Sequence, residues 1–168
     1  MPDSLAYQLY SPMPMKDWKP TAAHAIATGG YLGYFPGAPG TVGSLLGVLI
    51  IWATRNTPTL FSLILLLLVT AAGTWASYET RRQFKHKDSP RVIVDEIAGM
   101  MLTTFAIPIS WERLVFAFLL FRFFDIVKPF PASWIDRKVH APWGIMGDDL
   151  VAGLFGNCLL HLAIRASI

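Results

Sequence analysis

Charge and cysteine are scarce in this sequence of 168 residues. Asp, Glu, Lys and Arg together make up only 15% of it, whereas about 25% is usual for a soluble globular domain. The single cysteine, Cys158, excludes an intrachain disulfide and a cysteine-rich metal site. Low-complexity tracts and linkers are also lacking, which argues against a disordered chain. Hydrophobic residues reach 54%, and this composition predicts a small helical membrane protein rather than a soluble enzyme.

Five apolar stretches predict an all-α bundle with about five membrane spans. The clearest covers residues 60–78, which carry no charge and would measure about 28 Å as a helix, close to the hydrocarbon thickness of a bilayer. The other predicted spans are residues 42–54, 95–109, 114–127 and 148–166. Buried helices of a soluble protein are the alternative for the shorter stretches.

Two further segments complete the predicted organisation. The glycine-rich residues 21–35 are expected to be interfacial or re-entrant and to lead into the first span. Residues 1–20 are expected to form a cytoplasmic N-terminal segment, and residues 21–168 a single transmembrane domain.

The positions of lysine and arginine predict the orientation in the membrane. Most of the fourteen basic residues fall on one side of the predicted spans: Lys16, Lys19, Arg81, Arg82, Lys85, Lys87, Arg91, Lys128, Arg137 and Lys138. Loops of this kind stay in the cytoplasm, so the N-terminus is predicted inside and the C-terminus outside. Because topology explains the net charge of +3, no nucleic-acid partner is expected, and no obligate protein partner is evident.

Six of the eleven acidic residues fall at the predicted cytoplasmic ends of the spans: Asp95, Glu96, Asp125, Asp136, Asp148 and Asp149. Ionisable groups at membrane depth are costly, which favours a functional interpretation. Helix N-caps are the alternative for Asp95 or Glu96 and for one of Asp148 and Asp149. That alternative does not account for Asp125, which lies near the C-terminal end of its predicted helix. Arg122, three residues earlier, or a divalent metal ion would neutralise it.

Carboxylates that gather without histidine or cysteine ligands favour a hard cation. Magnesium prefers oxygen ligands and often binds through carboxylates together with substrate phosphate, whereas zinc favours His or Cys. The four histidines are scattered along the chain. We therefore expect Mg²⁺, with Asp95, Glu96, Asp125, Asp148 and Asp149 as its ligands.

Phosphate-binding features lie near the same predicted face. A Gly- and Pro-rich loop, residues 35–44, precedes the first span, where Thr41 or Ser44 is predicted to cap the helix; free N–H groups there would bind an anion, and a plain turn is the alternative. Three basic residues, Lys128, Arg137 and Lys138, follow the fourth predicted span. They would bind a phosphate or anionic lipid headgroups, or they only keep this loop in the cytoplasm. The starts of two predicted spans, residues 95–99 and 148–153, also resemble each other, over too short a stretch to establish a repeat.

Taken together, these segments resemble the phosphatidylglycerophosphatase A family, which are bacterial membrane lipid phosphatases. The resemblance covers about residues 21–165 and keeps the order of the motifs. The matching segments are residues 36–41 with 43–44, 95–96 with Gly99, 121–122 with Asp125, 128–131, 136–137, 144–146, 148–149 and 152–153. Two positions depart from the family pattern: Met101 stands where tryptophan is frequent, and residues 141–143 replace a loop that is often glycine-rich.

The resemblance implies Mg²⁺-dependent hydrolysis of phosphatidylglycerophosphate to phosphatidylglycerol and phosphate, during phosphatidylglycerol biosynthesis. The enzyme would be a multi-pass protein of the bacterial inner membrane, with the membrane phospholipid as substrate and the active site facing the cytoplasm. The expected catalytic residues are Asp95, Glu96, Asp125, Asp136 and Asp149, with Asp136 as the candidate for proton transfer. The expected phosphate-binding residues are Thr41, Arg122, Lys128 and Arg137.

Other chemistries stay open at this stage. A carboxylate rather than water could act as the nucleophile, and the same acidic site would suit another lipid phosphatase or a phosphotransferase. The non-enzymatic alternative is a divalent-metal or ion transporter, which would place its acidic residues near the bilayer midplane.

Overall fold

The computed structural model describes residues 22–84, 92–139 and 141–166. Within these ranges the chain forms α-helices and no strand, which confirms the predicted all-α class. The helices are α1 Ala22–Ala27, α2 Pro39–Thr54, α3 Thr59–Phe84, α4 Val94–Thr103, α5 Trp111–Val127, α6 Ala132–Lys138 and α7 Pro142–Ala166, with a short 3-10 helix at Leu32–Tyr34.

Two helices are long and apolar enough to cross a membrane. They are Thr59–Thr80 of α3 and Trp143–Ala166 of α7, which would measure about 33 Å and 36 Å, against a hydrocarbon core of about 30 Å. Both contain a predicted span and extend it. Helices α2 and α5, with 16 and 17 residues, reach about 25 Å. The count of five spans therefore stays a prediction.

Helix α4 is shorter than the predicted span over residues 95–109. It has 10 residues and ends at Thr103, so it measures about 15 Å, half of a bilayer core. The chain then turns, with Ala106 at φ 59°, before Ser110 caps α5 through its side chain. Pro108 contributes to the early end, since its ring would collide with the carbonyl of Thr104 in a continued helix.

The predicted interfacial or re-entrant segment contains only short helices in the structure. Helix α1 packs against α3, and the Ile93 amide donates to the Ala27 carbonyl at 2.8 Å, which ties this segment to the start of α4. Six residues reach about 9 Å and cannot cross a bilayer. Its interfacial position stays a prediction. The N-terminal segment 1–20, the basic loop 85–91 and His140 lie outside the described residues.

The core of the bundle forms where α4 and α7 cross. Gly99 and Gly153 meet there so closely that a Cβ on Gly153 would collide with the Gly99 backbone, and a Cβ on Gly99 would collide with the Phe121 ring. Such small residues let membrane helices approach closely. Phe121 of α5 is fully buried on this crossing. The close approach brings the first turns of α4 next to the N-terminal half of α7.

Candidate active site

Three carboxylates gather where α4 begins. One oxygen each of Asp95, Glu96 and Asp149 lies within 4.8 Å of the others. Asp95 and Glu96 belong to the first turn of α4, while Asp149 is buried on α7. We call these three residues the carboxylate cluster. Two helices distant in the sequence thus supply one acidic pocket.

The N-cap interpretation of the acidic residues is wrong for both helices. The N-cap position of α4 is Ile93, so Asp95 lies inside the first turn. Helix α7 begins at Pro142, and Asp148 and Asp149 therefore lie about two turns into it, where no free backbone N–H group needs a partner. Capping therefore does not explain Asp148 or Asp149, whereas Asp95, although it is not the N-cap residue, accepts from the Glu96 amide at 3.2 Å.

Asp125 of α5 lies beside the cluster and is paired with an arginine. Its carboxylate is close enough to Asp95 and Asp149 to interact with both. Arg122 Nη1 donates to Asp125 Oδ2 at 2.5 Å, which confirms the predicted cation for this acid. The same nitrogen lies 3.5 Å from the Ser44 hydroxyl of α2. Arg122 therefore connects α2 with the acidic pocket.

Lys128 joins the remaining two acids. Its ammonium group is bound to Asp148 of α7 and lies 3.2 Å from Asp136 of α6. Burial alone would lower the pKa of Lys128, but the hydrogen bonds and charges of Asp148 and Asp136 outweigh it and raise the pKa above its ordinary value. Lys128 is therefore charged at neutral pH and provides a second cation beside the pocket.

The start of α2 closes another side of the pocket. A Cβ on Gly40 would lie 2.7 Å from Glu96 Oε1 and 3.2 Å from Arg122 Nη1. The predicted capping by Thr41 or Ser44 is wrong, because the N-cap residue is Ala38 without a side-chain bond and the Ser44 hydroxyl donates to the Gly40 carbonyl. Thr41 is half-buried in the first turn of α2.

This contact gives a first testable expectation. Gly40→Ala is expected to lower activity about tenfold or more, since the added methyl group must displace Glu96 or Arg122 from its position, and small displacements of catalytic groups have effects of this size or larger. Phosphate release and thermal unfolding of the purified variant would be measured together. Wild-type activity in a folded Gly40→Ala protein would contradict the expectation.

Arg137 is the predicted site residue that the structure does not bring to the pocket. It is exposed on α6, and its Nε donates to the Ser133 carbonyl of the same helix at 3.1 Å. Across the described ranges no ion pair joins it to the carboxylates. Asp136, its neighbour, is exposed, and it meets the pocket through Lys128 and through its charge, which acts on Asp148.

The contacts that Ser44 and Gly40 make at the site were not predicted. Ser44 was expected to cap α2 but instead faces Arg122, and Gly40 entered the sequence argument only as part of the Gly- and Pro-rich loop. The signal for Gly40 was the glycine itself, because glycine inside a helix is destabilising and often marks a close approach of another group.

The chemistry of the pocket fits a divalent metal ion. Glu96 Oε2 is buried and has no hydrogen-bond partner among the described residues, and an orphaned buried oxygen requires an explanation. All three oxygen donors of the cluster are carboxylates, the ligand type that Mg²⁺ accepts. A bound cation would give Glu96 Oε2 a partner and would offset the repulsion among the three carboxylates.

Helices of membrane-spanning length and a carboxylate cluster flanked by two cations define a helical protein with an acidic site that can hold a metal ion. Comparison with known proteins identifies the family. The sequence profile of the PgpA family, described as phosphatidylglycerophosphatase A, matches residues 25–164. No solved structure matches the chain.

Three characterised or named relatives match most of the chain. Phosphatidylglycerophosphatase A of Escherichia coli K12 is 34% identical over 140 residues, 82% of this chain and 81% of that protein. Its namesake from Haemophilus influenzae is 36% identical over 135 residues, 79% and 82% of the two chains. A Bacteroides thetaiotaomicron protein with the name putative phosphatidylinositol-3-phosphatase is 35% identical over 147 residues. The match covers 82% of this chain and 91% of that protein.

The chain therefore belongs to the phosphatidylglycerophosphatase A family. It is an enzyme, a phosphatase, and the predicted family resemblance is confirmed.

Proposed function

We propose that this enzyme hydrolyses phosphatidylglycerophosphate to phosphatidylglycerol and inorganic phosphate, with Mg²⁺, at the cytoplasmic face of the bacterial inner membrane. The observation that carries the proposal is the carboxylate cluster, which includes a residue with a buried unpartnered oxygen, Glu96 Oε2, and which has Arg122 and Lys128 on its border. The names of the Escherichia coli and Haemophilus influenzae relatives supply the substrate.

Asp95, Glu96 and Asp149 are the proposed core of the metal site, since their oxygens already lie together. Asp125 and Asp148 would complete the ligand set from the flanks of the pocket. When bound, a magnesium ion would neutralise the substrate phosphate and activate the attacking water. Because all five ligands come from helices, they are held by the packing of the bundle.

Arg122 and Lys128 are the proposed anchors of the phosphate. Both are held beside the cluster by carboxylates, through Asp125 and Asp148, and cations placed in this way stabilise charge on a transferring phosphoryl group. The hydroxyl of Thr41 and the free N–H groups at the start of α2 would bind a phosphate oxygen. Arg137 is exposed on α6 and does not reach the carboxylates, and its contact with the phosphate of a bound lipid stays a proposal.

Asp136 is the proposed proton donor. In the reaction, the water oxygen forms a bond to phosphorus and releases a proton to solvent, the bond from phosphorus to the glycerol oxygen breaks, and that oxygen takes up a proton from Asp136 to leave as an alcohol. Asp136 is exposed and contacts Lys128 at the border of the pocket. From there it can exchange protons with solvent between turnovers.

The depth of the pocket suits a lipid substrate. The membrane-length segment of α7 begins at Trp143, and Asp149 lies only about 9 Å further along the helix. If α7 spans the bilayer, the pocket lies at the level of the headgroups. A phosphomonoester on a membrane lipid would meet the carboxylate cluster without leaving the bilayer.

Phosphate release by the purified enzyme in mixed micelles tests the proposal. We expect release from phosphatidylglycerophosphate with Mg²⁺ and none after removal of divalent ions with a chelator. Phosphatidylinositol 3-phosphate and phosphatidic acid belong in the same assay, because the Bacteroides relative carries the name of a different lipid phosphatase. Faster release from either of these lipids would overturn the substrate assignment. Uptake of divalent metal into sealed vesicles without phosphate release would support the transporter alternative instead.

A further inference from the structure

Helices α4 and α7 run parallel and meet in a fixed register. Asp95 lies beside Asp149, Gly99 packs against Gly153, and one turn further the Asn157 side chain donates to the Thr103 carbonyl, 54 positions earlier in the chain. Each of these pairs is separated by the same 54 positions. The two helices therefore advance together, turn by turn, from the carboxylate cluster to Asn157.

The sequence on the two helices repeats where they pack. Residues 95–99 read Asp-Glu-Ile-Ala-Gly and residues 149–153 read Asp-Leu-Val-Ala-Gly. The first aspartates, the alanines and the glycines of the two segments thus correspond in the same register, while Glu96 stands opposite Leu150. The resemblance between these helix starts, too short to establish a repeat by itself, coincides with a direct contact between the segments.

Asn157 closes this contact at the end of α4. Its Nδ2 donates to the Thr103 carbonyl at 3.2 Å and to the Phe105 carbonyl at 2.9 Å. The last carbonyls of a helix lack intrahelical partners, and Thr103 is fully buried, where an unpaired carbonyl is costly. Local groups bind the carbonyls of Met101, Leu102 and Thr104, whereas those of Thr103 and Phe105 accept from α7.

We propose that Asn157 is a positioning residue for the metal site. By tying the end of α4 to α7, it fixes how far the two helices can slide past each other at the Gly99–Gly153 crossing. That register sets the separation of Asp149 from Asp95 and Glu96. A slip of one residue would shift one helix by about 1.5 Å and turn it by about 100°, which would separate the three oxygens. The inference rests on the proposed role of the carboxylate cluster in binding Mg²⁺.

Asn157→Leu tests the proposal because leucine keeps the size of asparagine and removes both hydrogen bonds. Mg²⁺ binding would be measured by calorimetry on the metal-free, detergent-solubilised protein, and the Mg²⁺ concentration for half-maximal phosphate release would be measured in parallel. Supporting residues of metal ligands typically contribute about tenfold or more to affinity, so we expect binding to weaken and the half-maximal concentration to rise about tenfold. The rate at saturating Mg²⁺ should be largely retained.

Two further variants serve as controls. Asn157→Gln keeps the carboxamide and is expected to recover part of the Mg²⁺ affinity. Cys158→Leu introduces the same side chain at the next position, which is exposed, and is expected to bind Mg²⁺ like the wild type. If Asn157→Leu does not fold, Asn157→Ser, which is too short to reach both carbonyls, carries the same expectation.

The outcomes separate the two proposals. Unchanged Mg²⁺ affinity in a folded Asn157→Leu or Asn157→Ser protein, even with a lower melting temperature, would overturn the positioning role and leave the proposed function intact. A wild-type enzyme that neither binds nor requires Mg²⁺ would overturn the proposed function itself.

Discussion

Asp149→Asn is expected to lower the rate of phosphate release about a thousandfold or more, because it removes a charged ligand from the centre of the proposed metal site. Asparagine has the same shape as aspartate, so the packing of α7 against α4 should survive. Asp149 is buried among the like charges of Asp95, Asp125 and Asp148. Loss of its charge relieves repulsion, and the variant should unfold at the same temperature as the wild type or a higher one in the absence of metal.

The measurements are phosphate release and thermal unfolding of the same preparation, with and without Mg²⁺. Glu112→Gln is the matched control, since Glu112 is exposed at the start of α5, about 20 Å along that helix from Asp125. It should retain wild-type activity. Full activity of Asp149→Asn would show that the carboxylate cluster is not the catalytic metal site.

Arg122→Ala is expected to combine a large loss of activity with a loss of stability. Without its guanidinium group the proposed phosphate anchor is gone, which should lower the rate about a hundredfold to a thousandfold. The change also leaves Asp125, only 14% exposed, without its partner. Breaking a buried pair in this way costs about 3 kcal/mol of unfolding free energy. Arg122→Lys should recover stability better than activity, because lysine keeps the charge but cannot bridge Asp125 and Ser44 together.

Arg113 provides the comparison on the same helix. It donates to the Pro108 carbonyl at 2.9 Å near the other end of α5, so Arg113→Ala should leave phosphate release close to wild type. Chemical unfolding and the steady-state rate are measured for all three variants. Equal rates for Arg122→Ala and Arg113→Ala would exclude Arg122 from the phosphate site.

Hydropathy predicts best the two helices that are long enough to cross a membrane. Residues 60–78 and 148–166 lie within α3 and α7 because long uncharged runs favour helices of that length. Hydropathy did not predict the end of α4 at Thr103, because the apolar run continues to residue 109. Asn157 stabilises that end, because its side chain donates to the Thr103 and Phe105 carbonyls. Asn157 lies more than fifty positions further along the sequence.

The residues of the candidate site could be predicted from the sequence, but of their contacts only the one between neighbours on a single helix could be. The spacing of Arg122 and Asp125 on one helical face predicted their ion pair, which the structure confirms. The pairing of Lys128 with Asp148 joins residues 20 positions apart and depends on how α6 and α7 fold back. The helix start at Pro142 was not predicted either, because hydropathy placed the span boundary at the two aspartates. No local pattern relates Ser44 to Arg122.

The ion pairs inside the pocket couple the binding of substrate to the binding of metal ion. Each cation there is already engaged by an acid, Arg122 by Asp125 and Lys128 by Asp148. A phosphate that binds Arg122 or Lys128 breaks that residue's ion pair and leaves its carboxylate free to bind the metal ion. In the same way, a metal ion that binds Asp125 or Asp148 leaves the partner cation free to bind the phosphate. Under the proposed roles, the substrate therefore raises the affinity for the metal ion. By thermodynamic linkage, the metal ion raises the affinity for the substrate by the same factor.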